Sequence, residues 1–259
     1  VHYIDITGEI EVFEYLASKD AEAKETSIVL MPGTGFDVVP TDCLAAFLKT
    51  KMPDATQLEL AISGVGSISR GTALTMLENI HRPGMIRKEG KLTEVPVAYK
   101  TRRIPFLKYD RMAVTIPWGD VSTAWYSTGI PNVKVYAAVN EKTLRYMKAS
   151  RYIGWLLKTK PVQRYLHNQI SQTVKGPDEK KRTTAQTYIW GEVKNAVGLT
   201  ATARLETPEP YHLTAITALA AAERVSQMFM ISGFKTPSLA FGPDFILEVP
   251  GVRRDYCDC

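Results

Sequence analysis

The alternation of apolar and polar positions divides this chain into two parts of different style. Val1–Ile6 reads as a strand and runs into the polar turn Thr7-Gly8-Glu9, while Ile28–Met31 reads as a second and runs into Pro32-Gly33-Thr34-Gly35-Phe36-Asp37. Between them, Val12, Phe13, Tyr15 and Leu16 recur at helical spacing from Glu11 to Ala23. Leu44, Ala45, Phe47 and Leu48 repeat that stripe over Thr41–Met52. Residues 1–52 thus read β-α-β-α, the last part of a parallel doubly wound sheet. A third strand, Leu58–Ser63, enters Gly64-Val65-Gly66-Ser67-Ile68-Ser69-Arg70-Gly71-Thr72. Open α/β sheets put ligands at polar turns of this kind, at the carboxyl ends of strands.

Beyond residue 53 strands predominate. Met85–Val95 reads as a hairpin around Lys88-Glu89-Gly90-Lys91, and strand-like runs follow at Val97–Arg103, Arg111–Ile116 and Val133–Val139. Asn140 is placed to cap a helix from Glu141, and Pro161 suits the first turn of the next, together covering 141–174. Thr183–Lys194 with Gly198–Leu205 reads as a second hairpin. Thr207-Pro208 opens an Ala-rich helix to Ile231, and Phe245–Val249 reads as a closing strand. Residues 53–259 are therefore expected to form a mixed-sheet α+β domain. With few helices to cover its strands, that sheet is expected to pack against a second copy as a homodimer. Because residue 1 is Val and a strand starts at once, the chain is expected to have been cut inside a larger α/β protein.

Composition narrows the classes. A chain of 259 residues, 45% hydrophobic and 23% charged, is ordinary for a globular protein, with no apolar run that would span a membrane. Cys43, Cys257 and Cys259 make neither a disulfide framework nor a zinc spacing, and Cys257-Asp258-Cys259 reads as a frayed, reduced end in a cytoplasmic protein. The four histidines are scattered without metal spacing or a triad, so no metal is expected. The net charge of +5 is uneven: residues 142–182 hold eleven Lys and Arg against two acids, a balance of +9, interleaved with Tyr146, Tyr152, Trp155, Leu156 and Leu157. Such a segment is either a solvated face or a contact for an anionic membrane surface or acidic partner. No nucleic-acid module accompanies it, and nucleic acid is not expected as a partner.

The turns carry the candidate chemistry. Gly64-Val65-Gly66-Ser67-Ile68-Ser69 imitates a dinucleotide fingerprint, but Ser69 replaces the third small residue and Glu89 lies in a hairpin turn rather than at a strand end. Arg70 is a permanent cation able to clamp a carboxylate, phosphate or thioester carbonyl, with Thr72 adding a hydroxyl; equally, Arg70 reads as a surface charge. Thr7-Gly8-Glu9 reads as a ribose contact or as a capped helix start. In Gly35-Phe36-Asp37-Val38-Val39-Pro40-Thr41-Asp42, Asp42 is a helix-start carboxylate and Asp37 the better active-site candidate.

Taken in order, Tyr3–Glu9, Gly35–Asp42 and Ser69-Arg70-Gly71-Thr72 resemble the saccharopine-dehydrogenase-like oxidoreductases, which include trans-acting enoyl reductases. Trp118-Gly119-Asp120-Val121-Ser122-Thr123, Ser127-Thr128-Gly129-Ile130-Pro131-Asn132, Pro210-Tyr211 before Thr214-Ala215, and Gly233-Phe234-Lys235-Thr236-Pro237 continue the series. The resemblance implies a Rossmann domain that binds NAD or NADP, followed by a substrate-binding and dimerisation domain. It makes residues 1–52 the end of a Rossmann-type parallel sheet whose first strand and glycine turn are missing. It implies hydride transfer from the cofactor to a C=C or C=N bond of a small or acyl substrate, in a longer protein; this chain alone is expected to be inactive. Thr7, Gly8, Glu9, Gly35 and Phe36 become cofactor candidates, Asp37, Arg70 and Thr72 substrate candidates, and Asp120 and Tyr126 proton-relay candidates. The rival expectation is a non-catalytic peripheral membrane or scaffold protein with an enzyme-like fold, contacting membrane through 142–182.

Overall fold

The computed structural model describes residues 1–64, 70–79, 82–173, 185–227 and 231–258. Two sheets organise the chain. The smaller is parallel throughout: β1 (Tyr3–Ile4) pairs with β2 (Val29–Met31), which pairs on its other side with β11 (Gly233–Phe234). The C-terminal region thus returns to the sheet begun by the first residues. The expected helix of 11–23 is two helices, α1 (Ile10–Ser18) and α2 (Asp20–Glu25), broken at Lys19. The break frees Asp20 to accept the Phe234 amide at 2.8 Å, which ties α2 to β11.

The larger sheet has nine strands in the order β12-β10-β9-β3-β8-β4-β5, with the hairpin β6–β7 joined through β7 to β8. These are β3 (Ala55–Ser63), β4 (Gly84–Lys88), β5 (Lys91–Val95), β6 (Thr101–Pro105), β7 (Asp110–Thr115), β8 (Asn132–Ala138), β9 (Gln186–Asn195), β10 (Thr200–Pro208) and β12 (Arg253–Asp258). Only the β3–β8 pairing is parallel among them. An α/β chain with a short parallel sheet followed by a mixed sheet is the architecture read from the sequence.

One face of the large sheet is covered by α3 (Val39–Lys51), α5 (Asp120–Thr128) and a 3-10 turn at Phe245–Glu248, around a core that includes Leu44, Leu48, Leu60, Val135, Ile189 and Leu205. Gly191 on β9 permits the close approach of α3: a Cβ there would stand 2.8 Å from Leu48 Cδ1 and 3.1 Å from Leu44 Cδ2. Gly191→Ala is therefore expected to cost about 1–3 kcal/mol through overpacking, read as a lowered urea midpoint at unchanged slope.

Two sequence expectations differ from the structure, and one helix had no counterpart in the sequence reading. Phe245–Val249 is not a strand, because Phe245 and Ile246 are consecutive yet both bury into this core, whereas strand side chains alternate between faces. The C-terminal tail is not frayed through residue 258: it forms β12, pairing with β10 from Glu206↔Arg253 to Ala201↔Asp258. Helix α5 was not legible, since Val121, Ser122, Thr123 and Thr128 are weak helix formers; burial of Val121 and Ala124 in the core stabilises it instead.

The other face carries Ala61, Ile104, Phe106, Tyr136, Tyr188 and Trp190, partly roofed by the β6–β7 hairpin. Arg102 from β6 makes a paired contact with Glu192 (2.8 Å each) and reaches Glu59 (2.6 Å), which also takes Lys134 and the Tyr136 hydroxyl. This face, expected to seek a second sheet, is thus occupied in part by its own hairpin and an ion network. Helices α4 (Arg70–Asn79), α6 (Glu141–Leu157), α7 (Lys160–Thr173), α8 (Pro210–Gln227) and α9 (Pro237–Phe241) complete the described elements. The Asn140 cap is as read: its Oδ1 accepts the Thr143 amide at 2.8 Å. No helix among the described residues is long and apolar enough to cross a membrane.

Candidate functional site

Strands β1 and β2 run parallel, so their carboxyl-end turns lie side by side, and Asp5 joins them. Its Oδ1 accepts the Thr7 amide (3.0 Å) from one turn and the Gly33 amide (2.9 Å) from the other. Its carbonyl accepts both the amide and the hydroxyl of Thr34 (2.8 and 2.7 Å). A third turn, Trp118-Gly119-Asp120, closes over these two from the large-sheet side. Trp118 Nε1 donates to the Asp37 carbonyl at 2.8 Å.

Small residues make this convergence possible. A Cβ at Gly8 would stand 2.9 Å from Asp37 Oδ2, and one at Gly119 would stand 2.9 Å from the Gly8 carbonyl and 2.7 Å from the Phe13 ring. Phe13, fully buried on α1, packs its ring against Gly33 and Gly119, between the second turn and the third. The result is a half-buried Asp37 whose carboxyl lies against Gly8 and near Glu9. Burial first, and the Glu9 charge second, raise its pKa to about 6. It is a carboxyl able to hold or release a proton near neutrality.

Two further acids lie behind it. Asp42 and Asp120 are fully buried, and burial raises both above the ordinary carboxylate range. Asp42 Oδ2 accepts the Ser238 amide at 2.7 Å. Ser127 Oγ lies 2.5 Å from Asp42 Oδ1 and 2.8 Å from the Thr123 carbonyl oxygen. The Ser127 hydroxyl donates to Asp42 with the Thr123 carbonyl as its alternative acceptor, and together with the Ser238 amide it opposes in part the upward shift that burial imposes. Asp120 Oδ2 has no hydrogen-bond partner, and the neighbouring Thr41 hydroxyl donates to the Val38 carbonyl. Thr123 Oγ1 donates only a long contact to the other oxygen, Oδ1 (3.5 Å), and burial outweighs it, so the pKa of Asp120 stands well above the ordinary carboxylate value.

The structure sorts the sequence candidates accordingly. Thr7, Gly8, Glu9 and Asp37 come together. Gly35 and Phe36 do not face the same space: Phe36 is 4% exposed in the core, its amide donates to Thr214 Oγ1 (3.0 Å), and Gly35 abuts the Thr214 side chain. Asp120 is sealed beneath α5 rather than presented to a substrate. The Tyr126 hydroxyl donates to Glu14 Oε2 (2.9 Å), and burial followed by that contact raises its pKa to about 12, so it holds its proton at neutral pH. Arg70 is exposed at the start of α4, which packs on α7; Thr72 lies on the same helix, its side chain outside the described residues. Gly64 has φ +83° with its Cβ position 2.7 Å from the Gln186 carbonyl, a close backbone approach that accounts for the glycine. The rest of that turn, 65–69, lies outside the described residues.

Sequence reading missed Glu14 and Phe13, which look like ordinary positions of a surface helix. Glu14 accepts from Arg87 (2.5 Å), Ser122 (2.7 Å) and Tyr126, and so pins α1 to β4 and α5 across the two sheets. Among the described residues no group of three His, Cys, Asp or Glu could hold a metal ion.

No protein-family model matches the sequence, and no curated protein matches it. Among solved structures, the chain is similar to the apo form of saccharopine dehydrogenase (L-Glu forming) from Saccharomyces cerevisiae, with a TM-score of 0.54 at 11% identity, covering 93% of this chain and 76% of that one. At that identity the likeness establishes a saccharopine-dehydrogenase-like fold.

Proposed function

We propose that this chain is the substrate-binding part of an NAD(P)-dependent oxidoreductase that reduces a C=C or C=N bond of a small or acyl substrate. The observation that carries the proposal is Asp37, a carboxyl titrating near pH 6, held where two parallel-strand turns meet in a dehydrogenase-like fold.

The donors present suit one end of a nicotinamide cofactor. The Thr7 hydroxyl and the Glu9 carboxylate match the hydroxyls of a ribose, and the Gly8 backbone allows close approach. The same carboxylate repels a pyrophosphate, which such folds hold on glycine amides at a helix start. Residues 1–259 are therefore expected to bind NADH or NADPH weakly, with a dissociation constant of roughly 1 mM or above. Calorimetric titration checks this. Micromolar binding would locate a phosphate site elsewhere, with the Gly64–Gly71 turn as the first place to look.

A bound reduced nicotinamide supplies the hydride. The residues of this chain answer the other half of the reaction. As hydride reaches one atom of the double bond, its π electron pair moves to the other atom, which then needs a proton. Asp37, neutral below about pH 6, donates that proton and is left as a carboxylate. The Trp118 indole holds the Asp37 backbone in place, and Phe13 excludes water from beneath the turns. Consumption of reduced nicotinamide by the longest available form of the protein, assayed against enoyl thioesters and imines, tests the reading. Failure of every member of both classes to be reduced, with either NADH or NADPH, would reject it.

A further inference from the structure

Helices α6 and α7 form a hairpin that stands out from the rest of the surface. Neither contributes a single buried residue. Their inner faces, Leu144, Met147, Gly154 and Leu157 on α6 and Val162, Leu166 and Ile170 on α7, are half-covered. The hairpin is nevertheless seated on the body. Arg151 donates to the Val97 and Ala98 carbonyls at 2.6 and 2.7 Å, Gln163 Nε2 reaches the Leu77 carbonyl of α4 at 3.4 Å, and α7 packs against α4.

What it turns outward is unusual for a solvated face. Tyr152 is 81% exposed, Trp155 74%, and Tyr146 and Tyr165 63% each, with Ile153 and Leu156 beside them. Trp155 and Leu156 lie three and four residues after Tyr152, so all three share one side of α6. Around them, residues 141–173 carry seven Lys and Arg against one acid, Glu141. A purely solvated helix has no reason to expose a tryptophan and three tyrosines within a basic rim. A bilayer surface accommodates both features: indole and phenol rings settle at headgroup depth, and long basic side chains reach lipid phosphates and carboxylates.

We propose that the α6–α7 hairpin docks the protein on anionic lipid surfaces, with Tyr152, Trp155 and Leu156 entering the headgroup layer and Lys142, Arg145, Lys148 and Lys158 answering its charge. The surface is separate from the Asp37 site, so it holds or falls independently of the reading of that site. The occupant follows from charge complementarity combined with aromatic exposure, the pairing of features that an anionic lipid surface accommodates.

Co-sedimentation of the full chain with phosphatidylcholine vesicles, with and without phosphatidylserine, tests the proposal. Binding is expected only with phosphatidylserine, falling as salt is raised. Trp155→Ala with Tyr152→Ala, on positions too exposed to affect folding, is expected to weaken it roughly tenfold. The double charge reversal Arg145→Glu with Lys148→Glu is expected to abolish it. Equal recovery in the supernatant with both vesicles overturns the proposal. So does binding that survives loss of both rings unchanged, or capture by polyglutamate without uptake by vesicles. A concentration-dependent doubling of mass in light scattering that Trp155→Ala removes would also overturn it, assigning this face to a second copy.

Discussion

Replacing Glu14 by Ala is expected to lower the unfolding free energy by about 3–5 kcal/mol, because it strands a buried guanidinium without its counter-charge. Arg87 is 4% exposed, and its three donor nitrogens are placed on the Val121 carbonyl (2.7 Å), the Gly90 carbonyl (2.8 Å) and Glu14 Oε1 (2.5 Å). The first two partners are neutral; Glu14 is the only anion that an ion pair brings to it among the described residues. Ser122 and Tyr126 also lose their acceptor when this carboxylate goes. Glu14→Gln keeps acceptor and shape but removes the charge, and falls between the two. Replacing both partners, Glu14→Leu with Arg87→Met, is expected to cost less than the two single losses together, since no charge is left unpaired. Urea denaturation of these variants reads this directly. A loss under about 1 kcal/mol for Glu14→Ala would mean that water reaches Arg87.

Asp37→Asn is expected to lower kcat by about 10²–10⁴-fold toward whichever substrate the intact protein reduces, with KM changed little, because it removes a positioned proton donor. The wild-type rate should fall as pH rises above about 6, where the carboxyl loses its proton, and the Asp37→Asn variant should lack that limb. Stability gives a second readout that needs no substrate. The folded-state pKa lies near 6 and the ordinary value is 3.8, so between those pH values the folded protein holds a proton that the unfolded chain has released. Stability from this group is therefore complete below about pH 4 and is lost as pH rises through 6, a change on the order of 2–3 kcal/mol. Asp42 and Asp120, also raised by burial, tilt stability in the same direction. The amide introduced by Asp37→Asn cannot titrate and should flatten its share of the slope. An unchanged rate in Asp37→Asn, or a pH dependence of stability that Asp37→Asn leaves unaltered, would remove Asp37 from its role.

Much of the frame was legible in the sequence because its signals are local. Period-two and helical spacings mark β1, β2, β3 and the β4–β5 hairpin within a few residues, and Asn140 marks a helix start by a contact only three residues long. The polar turns after β1 and β2 were visible for the same reason, and so was Asp37 as a candidate. How deeply each acid is buried was not visible, because a carboxyl's solvation and partners come from segments far along the chain. Asp120 stood as a proton-relay candidate, yet the folding of α5 against α3 removes it from water. Glu14 looked like one more surface acid of an amphipathic helix, yet Arg87, Ser122 and Tyr126 arrive from 73, 108 and 112 residues away to make it the pin between two sheets. Phe36 and Gly35 sat in a turn of the right composition, and only the approach of Thr214 from α8 shows them to be packing. Spacing fixes where strands and turns begin; long-range packing sets the dielectric and the neighbours of each charge, and with them its chemistry.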